Sequence, residues 1–433
     1  MDDSNGRMDE SAPHDLWWRR SRFPLFAASR ALSLTGDMAA TTALTVHIYA
    51  ETESGLAVSG LFAARVVPRL VGMFAGAVSD RVDLRRVMVV CDVISCLIFF
   101  AIASAGLHYI GLLLMVLVAE SAATVASPAA ETVVARVAPP EARGRANGVM
   151  MAILTVSFAV GSAAGSLTAG MWGYEYALLA NSATFLLSAA MVLGVPPMPP
   201  PASDGKGEHE PSMAESVRNG LRELRHDLQV LLVTVGMVGV TFGAALDRTA
   251  LVALAQDDLG SSGIGYGLAL GAVGFGALIG TATVGRVRWL DVSAAVFIAG
   301  VLMQAGGHLV MGLAPVLAVL VAAALFTGYG NGLEAVTGTT LLQGTKAKGS
   351  IGMLMGVVAS GSYLANAVGS VAGGALVGWA GPRPTFVVAA ALMAACGWFA
   401  WRAGRGPRTE PGDDSGGRVI EKGPPRRKSQ LNE

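Results

Sequence analysis

Gly76-Ala-Val-Ser-Asp80-Arg81-Val-Asp83-Leu84-Arg85-Arg86 is a burst of charge between two long apolar segments. A glycine lets two helices approach closely, an Asp-Arg pair closes a helix end, and two further arginines follow a short turn. Only 14% of the 433 residues are charged, 53% are hydrophobic, and the mean hydropathy is +0.54. In such a chain this cluster reads as a short aqueous hairpin between two membrane spans.

Working outward, a soluble protein of this length would carry charge on roughly a quarter of its residues. This one has too little to cover a water-facing surface. Apolar runs of about 20 residues recur along nearly the whole length, as bilayer-spanning helices require. They read as twelve spans. The first six are 24–49, 56–79, 87–107, 109–135, 147–170 and 174–196; the second six are 228–254, 262–285, 291–312, 315–342, 350–379 and 383–402. Residues 1–23 read as a polar N-terminal tail with no cleavable signal pattern, so the first apolar segment is expected to be retained. Residues 24–196 and 228–402 read as two six-helix bundles. A proline-opened linker, 197–227, separates them, and a tail, 403–433, rich in Gly, Pro and charge, is expected to be disordered. Within the linker, Met213, Val217, Leu221 and Leu224 fall on one helical face and predict an interfacial amphipathic helix.

Charge asymmetry sets the expected orientation. Alternate connections carry Arg81, Arg85 and Arg86; Arg136, Arg143 and Arg145; Lys206, Arg218, Arg222 and Arg225; Arg286 and Arg288; and Lys346 and Lys348. On the other side Arg383 is the one basic residue at a span end, histidine apart. Both termini are therefore expected in the cytoplasm, with the chain in the cell membrane. The halves echo each other: Gly161-Ser-Ala-Ala-Gly165 in the fifth span matches Gly369-Ser-Val-Ala-Gly373 in the eleventh. Small residues four apart read as helix-packing sites.

The Gly76–Arg86 stretch resembles the loop 2–3 signature of the major facilitator superfamily of transporters, Gly-x-x-x-Asp-Arg-x-Gly-Arg-Arg-Arg. Asp83 stands at the turn-glycine position, and Asp tolerates left-handed turns better than most residues. The resemblance covers essentially the whole chain. It implies an all-α integral membrane protein with twelve transmembrane helices in two six-helix pseudo-repeats. Thr35-Gly36-Asp37, Pro128-Ala129, Arg145-Ala-Asn147 and Asn181 to Phe185, in that order, look most like the branch containing enterobactin and macrolide exporters. Ser162 and Ser166 depart from the glycine-proline motif of drug antiporters.

The resemblance places spans one, four, seven and ten around a central cavity. Each has an ionisable residue here: Asp37, Glu120, Asp247 with Arg248, and Glu334. Charge in lipid is costly, so such groups normally face water or a partner. Arg65 and Arg69 lie four apart on the second span, with Arg65 near the depth of Asp37 and Glu120. Glu120, Asp37 and Arg65 are the proton-coupling candidates, Glu120 first and Asp37 in reserve. Asp247, Arg248, Glu334 and Arg69 are the expected further cavity residues. Permanent structural ion pairs are the competing explanation for all of them. Gly76, Asp80, Arg81, Arg85, Arg86 and Glu131 form the expected gate, with Arg81 or Arg85 pairing to Glu131.

The expected function is export of a small amphipathic molecule (a drug, antibiotic or siderophore-like compound) by proton antiport, through a monomer in the lipid bilayer. Import of a metabolite by the same fold, or a non-transporting receptor, are the alternatives. Zero formal net charge gives no sign of nucleic-acid binding. No nucleophile–base pair or metal-spaced cluster suggests an enzyme. Gly274-Phe-Gly276-Ala-Leu-Ile-Gly280 has the wrong spacing for a dinucleotide loop, so no cofactor is expected. His47 and His308 read as polar residues near span ends, and Cys91, Cys96 and Cys396 as small core residues.

Overall fold

The computed structural model describes residue 18 and residues 22–71, 82–199, 228–261, 263–286, 293–344 and 351–403. Gly76, Asp80 and Arg81 lie outside these residues, as do the amphipathic stretch around Met213–Leu224 and the C-terminal tail.

Long helices account for almost all of the described chain. They are α1 (Phe23–Thr52), α2 (Gly55–Val71), α3 (Leu84–Ala105), α4 (Tyr109–Val137), α5 (Arg143–Met171) and α6 (Tyr174–Leu193). The second set is α7 (Leu228–Leu246, continuing through Arg248–Ala253 and Leu254–Asp258), α8 (Ile264–Arg286), α9 (Ala294–Gly312), α10 (Leu317–Gln343), α11 (Ile351–Ala380) and α12 (Pro382–Ala403). Ten of the twelve are long and apolar enough to cross a membrane. The other two, α1 and α2, contribute Asp37, Arg65 and Arg69. The fold is that of a twelve-helix membrane protein built as two six-helix repeats.

Helix ends follow local chemistry. Asp83 is an N-cap: its carboxylate accepts from the backbone N–H of Arg85 at 2.9 Å and of Arg86 at 3.4 Å. Its φ is −59°, so it does not use the left-handed turn expected of a glycine substitute. Capping orphan amide donors is the more favourable use of a short carboxylate. The cap starts α3 at Leu84, three residues before the predicted start. Gly381, at φ +87°, makes the turn between α11 and α12 that an L residue would resist.

The repeat is visible in packing. Gly161 and Gly165 lie against Thr35, Met38 and Ala39 of α1. Gly369 and Gly373 lie against Phe242, Ala245 and Leu246 of α7. In both halves the fifth helix of the repeat thus presses its glycines onto the backbone of the first. A Cβ on Gly165 or Gly373 would overlap that backbone, so the close approach depends on the missing side chain. In α8, Gly276 and Gly280 do the same against Leu325 and Tyr329 of α10.

Among the described residues, the polar and core contacts between the halves gather toward one end. At the end bearing the α1–α2 and α11–α12 turns, Ser59 Oγ of α2 donates to Ser370 O of α11 at 2.6 Å. Ser166 Oγ of α5 donates to Gly263 O, just before α8, at 2.5 Å. Tyr49 OH of α1 donates to Asp257 Oδ2 of α7. One continuous apolar core there draws residues from both halves, among them Leu44, Leu61, Leu251 and Tyr266. Toward the terminus-bearing end the cores separate. One is built between Phe23 and Val195, the other between Val230 and Val358.

α7 departs from a regular helix. It turns at Asp247 and closes with a π-turn over Leu254–Asp258, where Leu259 N–H donates to Leu254 O at 3.0 Å. The wider turn carries the helix past the predicted end at 254 and aims two acids. Asp257 reaches Tyr49, and Asp258 pairs with Arg383 Nε at 2.6 Å. Arg383 also donates to Gly312 O and Ala314 O. The basic residue that broke the charge alternation is thereby neutralised by an acid and helps clamp α7, α9 and α12.

Candidate functional site

Between the halves lies a cavity of about 190 Å3. α2 lines it with Phe62, Arg65 and Arg69, and α1 adds Thr41. The second half contributes Arg248 of α7, Tyr266 of α8, and Tyr363 and Asn366 of α11. A wall built from both halves rearranges whenever they move against each other.

Behind that wall four charged side chains form one chain. Arg65 Nη2 contacts Asp37 Oδ2 at 2.6 Å and Glu120 Oε1 at 2.6 Å. Arg69 reaches the other oxygen of Glu120, with Nη2 at 3.1 Å and Nε at 3.3 Å. Two acids balance two guanidiniums. The residues come from α1, α2 and α4, and the i, i+4 spacing of Arg65 and Arg69 lets both reach Glu120 from one helix face. Side-chain exposure is 4% for Glu120 and 19% for Asp37, against 42% for Arg69. Glu120 is thus sequestered behind two arginines, while Asp37 has one and is more exposed.

The residues singled out as further cavity candidates divide. Arg69 and Arg248 line the cavity. Asp247 does not; it turns into the second half, where its Oδ2 lies 3.0 Å from His308 Nε2 of α9. Glu334 is buried between α9 and α10, close against Gly300, and faces Gln304. Both acids lie on faces of their helices turned toward α9. His308 is buried, with Nδ1 2.8 Å from Gln304 O, so it is an interior partner of Asp247 as well as a polar residue near a helix end.

Sequence reading missed a second polar set in the first half. Asp92 of α3 is buried and accepts from Ser188 Oγ of α6 at 2.8 Å. Arg30 of α1 lies in the field of both Asp92 and Asp37. The signal is an acid inside an apolar run, on a helix outside those expected to line the cavity.

Of the gate, Arg85, Arg86 and Glu131 are described. Glu131 is exposed, and neither it nor Arg85 forms an ion pair with another described residue. Arg136 of α4 instead donates to Pro199 O at 2.8 Å, tying α4 to the segment after α6. Among the described residues no group of three or more His, Cys, Asp or Glu is placed to hold a metal ion. The three cysteines are free.

The sequence model described as Major Facilitator Superfamily matches residues 25–251 and 237–430. A protein of Bacillus amyloliquefaciens named "Putative bacilysin exporter BacE" is 27% identical over 282 residues, covering 61% of this chain. Its counterpart in Bacillus subtilis matches equally. The matched region spans 66% of those relatives' length, just under two thirds. Among solved structures, a bacterial homolog to the human lysosomal transporter Spinster, inward-facing and unoccupied, superposes with a TM-score of 0.71 at 14% identity. That match covers 90% of this chain and 97% of that one. A D323A mutant of the nucleoside transporter NupG gives 0.70 at 11% identity, covering 88% and 99%.

Proposed function

The chain belongs to the Major Facilitator Superfamily as a multi-pass membrane transporter and not an enzyme, and on that premise we propose that it is a proton-coupled exporter of a small amphipathic molecule. Its likeness to relatives named as putative bacilysin exporters supports the outward direction. The observation that carries coupling is the Asp37–Arg65–Glu120–Arg69 chain behind a cavity shared by both halves.

α2 supplies both arginines and, about two to four turns toward the turn-bearing end, packs on α11 through Ser59 and Gly55. Protonating Glu120 removes the charge that holds Arg65 and Arg69 together on α4. It loosens α2 from α4 and so biases the seam that α2 makes with the other half. Asp37, the more exposed acid, holds Arg65 during the exchange. In this reading the paired form belongs to the state in which the halves are joined at the turn-bearing end. Closing the terminus-bearing end in the other state would bring the gate residues Gly76, Asp80, Arg81, Arg85 and Arg86 into play, with Glu131 as the acceptor.

Glu120→Gln imitates the protonated acid permanently. In proteoliposomes it should abolish transport driven by a pH gradient while substrate exchange without a gradient persists. Normal gradient-driven transport by the variant would remove Glu120 from the mechanism and leave Asp37 as the candidate.

The basic connections support a cytoplasmic location for both termini. Single cysteines at Lys206 and Gly260 test it in whole cells. An impermeant thiol reagent should label the second and spare the first, and the opposite pattern would invert the orientation.

A further inference from the structure

Arg248 has a different environment from the other cavity arginines. Arg65 and Arg69 spend their charge on Asp37 and Glu120. The Cζ of Arg248 sits 5.0 Å from the centroid of the Phe62 ring, across the boundary between the halves. A ring face attracts the cation but accepts few of its five N–H donors. Among the described residues no carbonyl or carboxylate accepts a hydrogen bond from Arg248. The adjacent acid, Asp247, is turned to His308 at 3.0 Å. Arg65, also on the cavity wall, adds positive potential rather than relief. Also on the cavity wall, the buried Oδ1 of Asn366 has no hydrogen-bond partner among the described residues.

A cationic fork beside aromatic walls, with an unsatisfied acceptor on the same cavity, is an arrangement in which the guanidinium has no directly paired anion among the described residues. We propose that Arg248 docks the carboxylate of the transported molecule, whose apolar part lies against Phe62, Tyr266 and Tyr363. Asn366 Oδ1 accepts an N–H or O–H from the same molecule. This deepens the exporter reading and rests on it: it specifies an amphipathic anion as the cargo. Because Arg248 belongs to one half and Phe62 to the other, a bound carboxylate competes with the ring for the guanidinium and changes a contact between the halves.

The test is equilibrium binding to the full-length protein in lipid nanodiscs by calorimetry. The probes are N-acetyl-phenylalanine and its neutral amide, N-acetyl-phenylalaninamide, which differ in charge at one end. Wild-type protein should bind the acid more tightly by about tenfold or more, the scale of a bidentate charge-assisted contact. Arg248→Gln should erase that preference with amide binding retained, and Arg248→Lys should keep part of it. Equal binding of the two probes by wild-type protein, or binding of neither, overturns the assignment without recourse to any variant. An acid preference that survives in Arg248→Gln overturns it as well. Binding is read without a gradient. A failed acid preference therefore leaves proton coupling standing, and normal gradient-driven transport by Glu120→Gln leaves the anion site standing.

Discussion

The two halves share a packing scheme and differ in what they bury. Gly161 and Gly165 of α5, pressed against α1, are mirrored by Gly369 and Gly373 of α11, pressed against α7. The polar interiors are not mirrored. The first half holds a chain of full charges on three helices beside the cavity. The second holds Asp247 against His308, and Glu334 against Gln304, away from it. Backbone approach depends on side-chain size, which a duplicated sequence retains easily. Polar networks depend on pairs, and a pair is lost or remade by one substitution. Duplication thus kept the scaffold, while the chemistry diverged.

The hardest way to break this comparison is to unbalance the charge chain. Arg65→Met leaves Asp37 without its cation and Glu120 with one arginine. A stability loss of about 3–5 kcal/mol is expected, because a buried charge is left uncompensated. Thermal unfolding in detergent reads it. Adding Asp37→Asn should recover part of the loss, since the Glu120–Arg69 pair is then balanced. No recovery would mean that Arg65 acts through packing instead of charge.

Next in size are the glycines. Gly165→Val and Gly373→Val each drive a side chain into a neighbouring backbone, at about 1–3 kcal/mol of overpacking. The two losses should be similar. A large loss for one and none for the other would show that the repeat is symmetric in sequence but not in energetics.

The smallest effect is expected from Glu334→Gln. Its carboxyl meets an amide and no cation among the described residues, so an isosteric amide should cost about 1 kcal/mol or less. Gradient-driven transport should persist. Its loss would place proton coupling in the second half and overturn the division of labour drawn above.

Span positions were legible because the bilayer imposes a length of apolar chain, and that constraint is written locally. α4 illustrates it: it was expected over 109–135 and runs from Tyr109 to Val137. α7 was less legible. Its π-turn carries Asp257 and Asp258, whose charge reads as a loop until Tyr49 and Arg383 are seen to meet them. The meeting of Arg65 with Asp37 and Glu120 was anticipated from depth and helix face. The second arginine on Glu120 was not, because residue count gives depth along one helix but not the angle between helices.

The sequence by itself determined which segments are long and apolar, that they form two repeats, where glycines permit close packing, and that Arg65, Glu120, Asp247 and Glu334 lie inside apolar spans. These follow from hydropathy, spacing and the cost of charge in lipid, all properties of a residue and its near neighbours. Only the tertiary structure decided who meets whom. It turned Asp247 to His308 and away from the cavity, left Arg248 over Phe62, gave Glu120 two arginines, and joined the halves through a shared core at the turn-bearing end. Those outcomes depend on helix rotation and crossing, which are set by the summed packing of many side chains and written at no single position.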